Sequence, residues 1–282
     1  MLLDSTLLYT VLILCAVGVI AAALLYVVAQ RFRVEEDERI DVVAAKLPGA
    51  NCGGCGSAGC RNFAEKLVAS EDLAGLFCPV GGAATMKDVA DYLGRAPVEK
   101  APQTAVVRCG GSCAKRPHTN LYDGAASCAM SAMLYGGQTG CIFGCLGGGD
   151  CAAACNFDAL SMNALTGLPE VDQTRCTACG ACAKACPKLL IELRNKGFRD
   201  RRVYVSCRNK DKGGVARKSC AAACIGCGKC VKACAFEAIA LADNLAYIDS
   251  NKCRLCRKCV AECPTGAIVE TGFPALKQTK DG

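Results

Sequence analysis

The spacing Cys-x2-Cys-x2-Cys-x3-Cys constrains the fold of this chain more than any other feature. It occurs at Cys224, Cys227, Cys230, Cys234 and again at Cys253, Cys256, Cys259, Cys263. Cys176, Cys179, Cys182 and Cys186 repeat it, and Cys141, Cys145, Cys151 and Cys155 form a looser run, Cys-x3-Cys-x5-Cys-x3-Cys. A tight loop can aim three such neighbouring thiols at one small body, and the fourth must then reach a different one. The repeat extends past the cysteines: Cys155-Asn-Phe-Asp-Ala-Leu matches Cys234-Ala-Phe-Glu-Ala-Ile, and Glu170-Val-Asp aligns with Tyr247-Ile-Asp. Two tandem copies of one small unit are expected.

Twenty-six cysteines in 282 residues imply either a disulfide scaffold or a metal protein. The N-terminus decides between them. Leu7 to Ala29 carries no charged residue and is long enough to span a bilayer. The leader holds Asp4 and no Lys or Arg, and the apolar run is longer than a signal peptide's, so a retained anchor is expected. Arg31, Arg33 and Arg39 follow the span, which places the remainder on the cytoplasmic side of the cytoplasmic membrane. A reducing compartment disfavours disulfides and favours bound metal. Cys15, inside the span, reads as a small buried hydrophobe.

The strict spacing is that of bacterial ferredoxins, whose first three cysteines hold one [4Fe-4S] cube while the fourth ligates its neighbour. By that crossover rule Cys141, Cys145, Cys151 and Cys186 hold one cluster, and Cys155, Cys176, Cys179 and Cys182 the next. Likewise Cys224, Cys227, Cys230 and Cys263 form a third set, and Cys234, Cys253, Cys256 and Cys259 a fourth. The irregular run contains Gly147-Gly-Gly, which lets the backbone fold close to a cofactor. Upstream, Cys52, Cys55, Cys60 and Cys78 form a separate set in Cys-x2-Cys-x4-Cys-x17-Cys, between helical patterns at Glu35–Lys46, Arg61–Ala69 and Thr85–Leu93. Zinc competes for these four on spacing alone. Of Cys109, Cys113, Cys128, Cys207 and Cys220, four form a candidate set for a sixth cluster; buried free thiols are the alternative. At least five clusters are therefore expected, and six at most.

The anchor, the Leu47–Cys60 motif closed by Cys78, and the tandem ferredoxin units together resemble the B subunit of Rnf-type ferredoxin:NAD oxidoreductase complexes. Gly144-Cys-Leu-Gly-Gly-Gly-Asp-Cys and Asn244-Leu-Ala-Tyr-Ile-Asp belong to the same resemblance, which covers nearly the whole chain. It implies a membrane-anchored electron-transfer subunit that accepts electrons from a soluble ferredoxin. Other membrane and peripheral subunits of the complex would reduce NAD and move Na⁺ or H⁺. Corrinoid iron–sulfur proteins carry a similar four-cysteine motif, so a tethered polyferredoxin serving another reductase or a corrinoid enzyme is the alternative.

The expected class is α+β: anchor 1–34, a mostly helical four-Cys domain 35–100, a connector 101–140, ferredoxin units 141–193 and 223–282, and a basic hairpin 194–222 between them. That last stretch reads either as a solvated connector or as a docking surface for an acidic donor through Arg199, Arg201 and Arg202. No catalytic residue is expected: the chain lacks dinucleotide and phosphate-loop fingerprints, and His118 is its only histidine. The formal charge of +7 points superficially to nucleic acid. Each oxidised cube with four thiolates carries about −2, so five clusters bring the total to roughly −3 and no nucleic-acid partner is expected.

Overall fold

The computed structural model describes residues 2–31, 37–134 and 136–274. The chain divides into two compact units, one up to Val42 and one from Val43 onward. Helix α1 (Leu2–Arg31) dominates the first. Its apolar part, Tyr9–Arg31, has a mean hydropathy of 3.0 and no protein burial, and it is long enough to cross a membrane. Cys15 is exposed along with its neighbours, so no protein contact covers it. Arg33 and the tail from residue 275 lie outside the described residues.

The second unit begins within α2 (Glu38–Lys46), followed by α3 (Cys60–Ala69) and α4 (Gly82–Leu93). In α3 the apolar residues Phe63, Ala64, Leu67 and Val68 recur at helical spacing and are all buried. With Val43, Leu73, Met86 and Val89 they build a small core. Each large side chain buried there contributes about 1.5–3 kcal/mol. The Arg95 guanidinium donates to the Leu67 and Val68 carbonyls, which the end of α3 leaves without helical partners.

Strand β1 (Gln103–Val107), helix α5 (Cys128–Leu134), helix α6 (Asp150–Ala153), hairpin β2–β3 (Leu160–Asn163, Leu168–Val171), helix α7 (Ala181–Ala185) and strand β4 (Ile191–Asn195) follow in order. Then come β5 (Arg202–Val205), α8 (Gly213–Ser219), α9 (Lys229–Ala233), hairpin β6–β7 (Ile239–Ala242, Leu245–Ile248), α10 (Lys258–Ala261) and β8 (Ile268–Thr271). β1 pairs antiparallel with β4, with Ala105 opposite Leu193, and β5 pairs antiparallel with β8, with Tyr204 opposite Val269. Each ferredoxin unit therefore has an outer strand pair, an inner hairpin and two short helices.

These pairings revise the expected boundaries. The strand closing the first unit comes from the 101–140 connector, and the one closing the second comes from the supposed basic hairpin. Arg202-Val-Tyr-Val is extended as expected, but its partner is β8, far along the chain, rather than a local hairpin mate. The interiors hold Ala, Val, Ile and thiols around small cavities, which explains how a chain with 5% aromatics fills two cores.

Candidate functional site

In the second ferredoxin unit the thiols gather as the crossover rule requires. Cys224, Cys227, Cys230 and Cys263 line one cavity of about 350 Å³. Cys234, Cys253, Cys256 and Cys259 line another of about 330 Å³. The third cysteine of each run sits in the first turn of a short helix, α9 or α10, and is buried, while the second, Cys227 or Cys256, is exposed.

The first unit obeys the rule once and breaks it once. Cys155, Cys176, Cys179 and Cys182 line a cavity of about 340 Å³ as expected. The neighbouring cavity, about 400 Å³, is lined by Cys128, Cys145, Cys151 and Cys186. Cys141 is absent from it, which corrects the expected set. The reason is a matter of register. Cys145-x2-Gly148-x2-Cys151-x3-Cys155 is the strict spacing with glycine in place of the second cysteine. A Cβ on Gly148 would lie 2.7 Å from the Cys128 backbone nitrogen and 3.1 Å from its Sγ. Cys128 thus delivers its thiol where the motif lacks one, and only a glycine leaves room for it.

Asp150 holds Cys128 there. Its carboxylate accepts from the N–H groups of Cys128 (2.8 Å) and Ala129 (3.0 Å) and from the Ser127 hydroxyl (3.1 Å), capping α5. Those hydrogen bonds, led by the Cys128 N–H, lower the Asp150 pKa. Asp150 precedes Cys151 directly, so one residue ties the inserted helix to the cluster loop.

Cys141 instead lines a fifth cavity, about 300 Å³, together with Cys109, Cys207 and Cys220. Cys113 is exposed and lines none of these spaces. In the N-terminal motif, Cys52 and Cys55 act electrostatically on buried Cys78, and Asn51 Oδ1 accepts from the N–H of Cys60 (2.8 Å). This loop lies against the first ferredoxin unit: a Cβ on Gly54 would come within 2.8 Å of the Cys179 carbonyl oxygen. Lys184 Nζ also donates to the Gly53 carbonyl, at 3.3 Å.

The donor chemistry fits iron–sulfur cubes. Every set is all-thiol, and among the described residues no three His, Cys, Asp or Glu side chains close on a single-ion site. Zinc, with Zn–S near about 2.3 Å, needs that closure. Burial pushes the Cys145 and Cys259 thiols up to about 12, and Cys151, Cys182 and Cys207 to about 11. Such thiols stay protonated near neutral pH, and a bound metal would have to displace those protons. Backbone N–H groups already point at sulfur: Ala105 at Cys176 (3.5 Å), Leu190 at Cys186 (3.4 Å) and Gly81 at Cys78 (3.4 Å). These donors would tune the potential of a cluster held there.

The basic stretch is only partly a surface. Arg194 and Arg202 are each 3% exposed, so Arg202 is unavailable to a donor protein. Arg194 contacts Glu192 at 2.5 Å and lies over the Tyr204 and Tyr247 rings. Arg202 Nε and Nη1 have no hydrogen-bond partner, and the residue interacts electrostatically with Cys176; Arg194 does so with Cys253. Both place buried positive charge beside thiols of the candidate cluster sites. Arg199 remains exposed and Arg201 half-buried, stacked on Phe198 and Phe273 respectively. His118 is an exposed loop residue bridged to Thr139.

Comparison with known proteins agrees with this geometry. Residues 47–75 match a family described as "Putative Fe-S cluster". Residues 141–190 and 223–267 match a 4Fe-4S dicluster domain, and residues 175–238 match a second domain of that description. The B subunit of the Na⁺-translocating ferredoxin:NAD⁺ oxidoreductase complex of Acetobacterium woodii is 44% identical over 91% of this chain and 75% of its own length. The B subunit of the proton-translocating ferredoxin:NAD⁺ oxidoreductase complex of Clostridium ljungdahlii is 38% identical over 98% of both chains. The B subunit of the ion-translocating oxidoreductase complex of Methanosarcina acetivorans is 39% identical over 94% of this chain and 99% of its own.

Proposed function

The chain belongs to the B-subunit family of ion-translocating ferredoxin:NAD⁺ oxidoreductase complexes, and from that premise we propose that it relays electrons from reduced ferredoxin into such a complex. The ligand sets are Cys52, Cys55, Cys60, Cys78; Cys155, Cys176, Cys179, Cys182; Cys128, Cys145, Cys151, Cys186; Cys224, Cys227, Cys230, Cys263; and Cys234, Cys253, Cys256, Cys259. Each cluster supplies one-electron chemistry when bound. The residues of the chain hold the clusters, shield them from water and set their electrostatics; no side chain is assigned a substrate-converting step.

The observation that carries this reading is the run of thiol sets packed within one compact unit, with the Gly54 loop touching the Cys179 loop. In the second ferredoxin unit, Cys227 and Cys256 are exposed. Lys229, Lys232, Lys252, Arg254 and Lys258 flank them on the surface. This basic rim, more than Arg199 and Arg201, suits an acidic donor approaching within reach of a cluster. The soluble part lies on the cytoplasmic face, supported by Arg31 and Arg39 after the span.

Anaerobic mixing of the full chain with reduced ferredoxin should bleach its visible absorbance, with a rate that falls as salt rises. Purification from mild detergent should bring flavin-bearing and membrane subunits with it. Absence of reduction by ferredoxin, or co-purification with a different reductase alone, would favour the tethered polyferredoxin instead.

A further inference from the structure

The geometry points to one more [4Fe-4S] site, held by Cys109, Cys141, Cys207 and Cys220 at the junction of the two ferredoxin units. The inference rests on reading the other thiol sets as cubane sites. These four lie outside the repeated cluster motifs, yet the structure gathers them around one cavity of about 300 Å³.

Each unit contributes two thiols from matching positions. Cys109 stands two residues beyond the end of β1 and Cys207 two residues beyond the end of β5. Cys141 precedes Cys145 in Cys-x3-Cys, and Cys220 precedes Cys224 in the same spacing. Cys145 and Cys224 are the first cysteines of the corresponding runs. The site therefore shares the internal symmetry of the molecule, which four unrelated buried thiols would have no reason to do.

The junction is tied by backbone. The Gly110 N–H donates to the Ser206 carbonyl (2.8 Å), and the Ala221 N–H to the Lys115 carbonyl (2.8 Å). Sulfur-directed donors converge on the site from both sides. Cys145 N–H points at Cys109 Sγ (3.5 Å) and Asn209 N–H at Cys207 Sγ (3.4 Å). Asn209, 1% exposed, also reaches Cys141 Sγ with Nδ2 at 3.7 Å, so one residue serves thiols of both units, through its backbone N–H and its side chain. Arg108 and Arg116, 5% and 6% exposed, line the cavity as counter-charge for an anionic cluster. Arg116 Nε is buried and has no partner within the protein. An inorganic sulfide would give it one.

The position also gives the site a role. Cys145, whose N–H touches Cys109, belongs to the neighbouring set in the first unit, and Cys207 accepts a backbone hydrogen bond from Cys224 of the adjoining set in the second. An electron accepted from one neighbour leaves to the other, with no proton or co-reactant in the balance. The two ferredoxin units thereby become one continuous path.

Iron and labile-sulfide analysis of the anaerobically purified full chain tests this. The wild type should hold about 24 iron atoms and Cys220→Ala about four fewer. A wild type with about 20, unchanged in Cys220→Ala, overturns the junction site and leaves the other five standing. A count well below about 20 overturns both readings. Loss of one zinc per chain in Cys220→Ala, with iron unchanged, also overturns it. Should Cys220→Ala fail to fold, Asn209→Leu provides the second measurement. Full iron content with one cluster's midpoint potential lowered in an EPR-monitored titration supports the site, because Cys141 Sγ loses its side-chain donor while the backbone donor to Cys207 stays. A titration superimposable on wild type counts against it.

Discussion

The two ferredoxin units share strands, hairpin and helix pair, yet they sit in opposite surroundings. In the second, the middle cysteine of each run, Cys227 and Cys256, reaches the surface. In the first, the place corresponding to Cys227 is Gly148, and its thiol is supplied by buried Cys128 from α5. The place corresponding to Cys256 is Cys179, against the Gly54 loop. One unit leaves these two thiols exposed, while the other is roofed by the segments on either side of β1. The same local motif thus presents exposed thiols in one context and covered ones in the other, and the difference lies in what the insertions cover.

That contrast can be broken most severely at the thiols. Cys128→Ala and Cys227→Ala should each remove one cluster, about four iron atoms, despite the fact that only Cys227 sits in a recognisable motif. Iron analysis that found Cys128→Ala unchanged would return the first unit to the strict crossover rule. Next in size is the buried charge of Arg202. Arg202→Glu places an unpaired anion beside Cys176 and should lower stability by several kcal/mol, with little relief from salt, since the site is buried. Chemical denaturation of the holo-protein measures it; a loss under about 0.5 kcal/mol would mean that Arg202 is not internal counter-charge.

Asp150 and Lys229 occupy corresponding positions, one residue before Cys151 and Cys230. Asp150→Ala removes the cap of α5 and should cost about 1–2 kcal/mol, along with weakened cluster retention in the first unit. Lys229→Ala should cost almost nothing, because Lys229 is exposed and, among the described residues, makes no capping contact like that of Asp150. Equal effects at the two positions would show that Asp150 does not position Cys128. The smallest stability change is expected at the open unit's rim. Lys252→Glu with Arg254→Glu should leave unfolding within about 0.5 kcal/mol of wild type while slowing reduction by ferredoxin at low salt. Arg199→Glu should slow it less. Stopped-flow rates independent of both changes would move the entry point away from the second unit.

Much of this was legible in the residues. The helices of the N-terminal domain follow the apolar spacing of Phe63, Ala64, Leu67 and Val68, and three of the four ferredoxin thiol sets match the crossover rule. The exchange of Cys141 for Cys128 was half legible. Reading the irregular run from Cys145 with Gly148 as the missing ligand restores the strict spacing and sets Cys141 apart, but nothing local names Cys128 as the replacement. Nor does the stretch 194–218 announce that Arg194 and Arg202 turn inward, because alternation along a strand reveals two faces without saying which is covered.

The sequence by itself determined the kind of chemistry and the presence of an apolar span. Three thiols within one short loop must face one small body, and an uncharged helix of this length suits a bilayer, whatever the remainder of the chain does. Tertiary structure decided which distant thiol completes each set, which arginines turned inward and which unit kept exposed thiols. Those outcomes depend on groups that are far apart along the chain and adjacent in space, and only the packing of β1, α5 and β5 onto the two repeats brings them together.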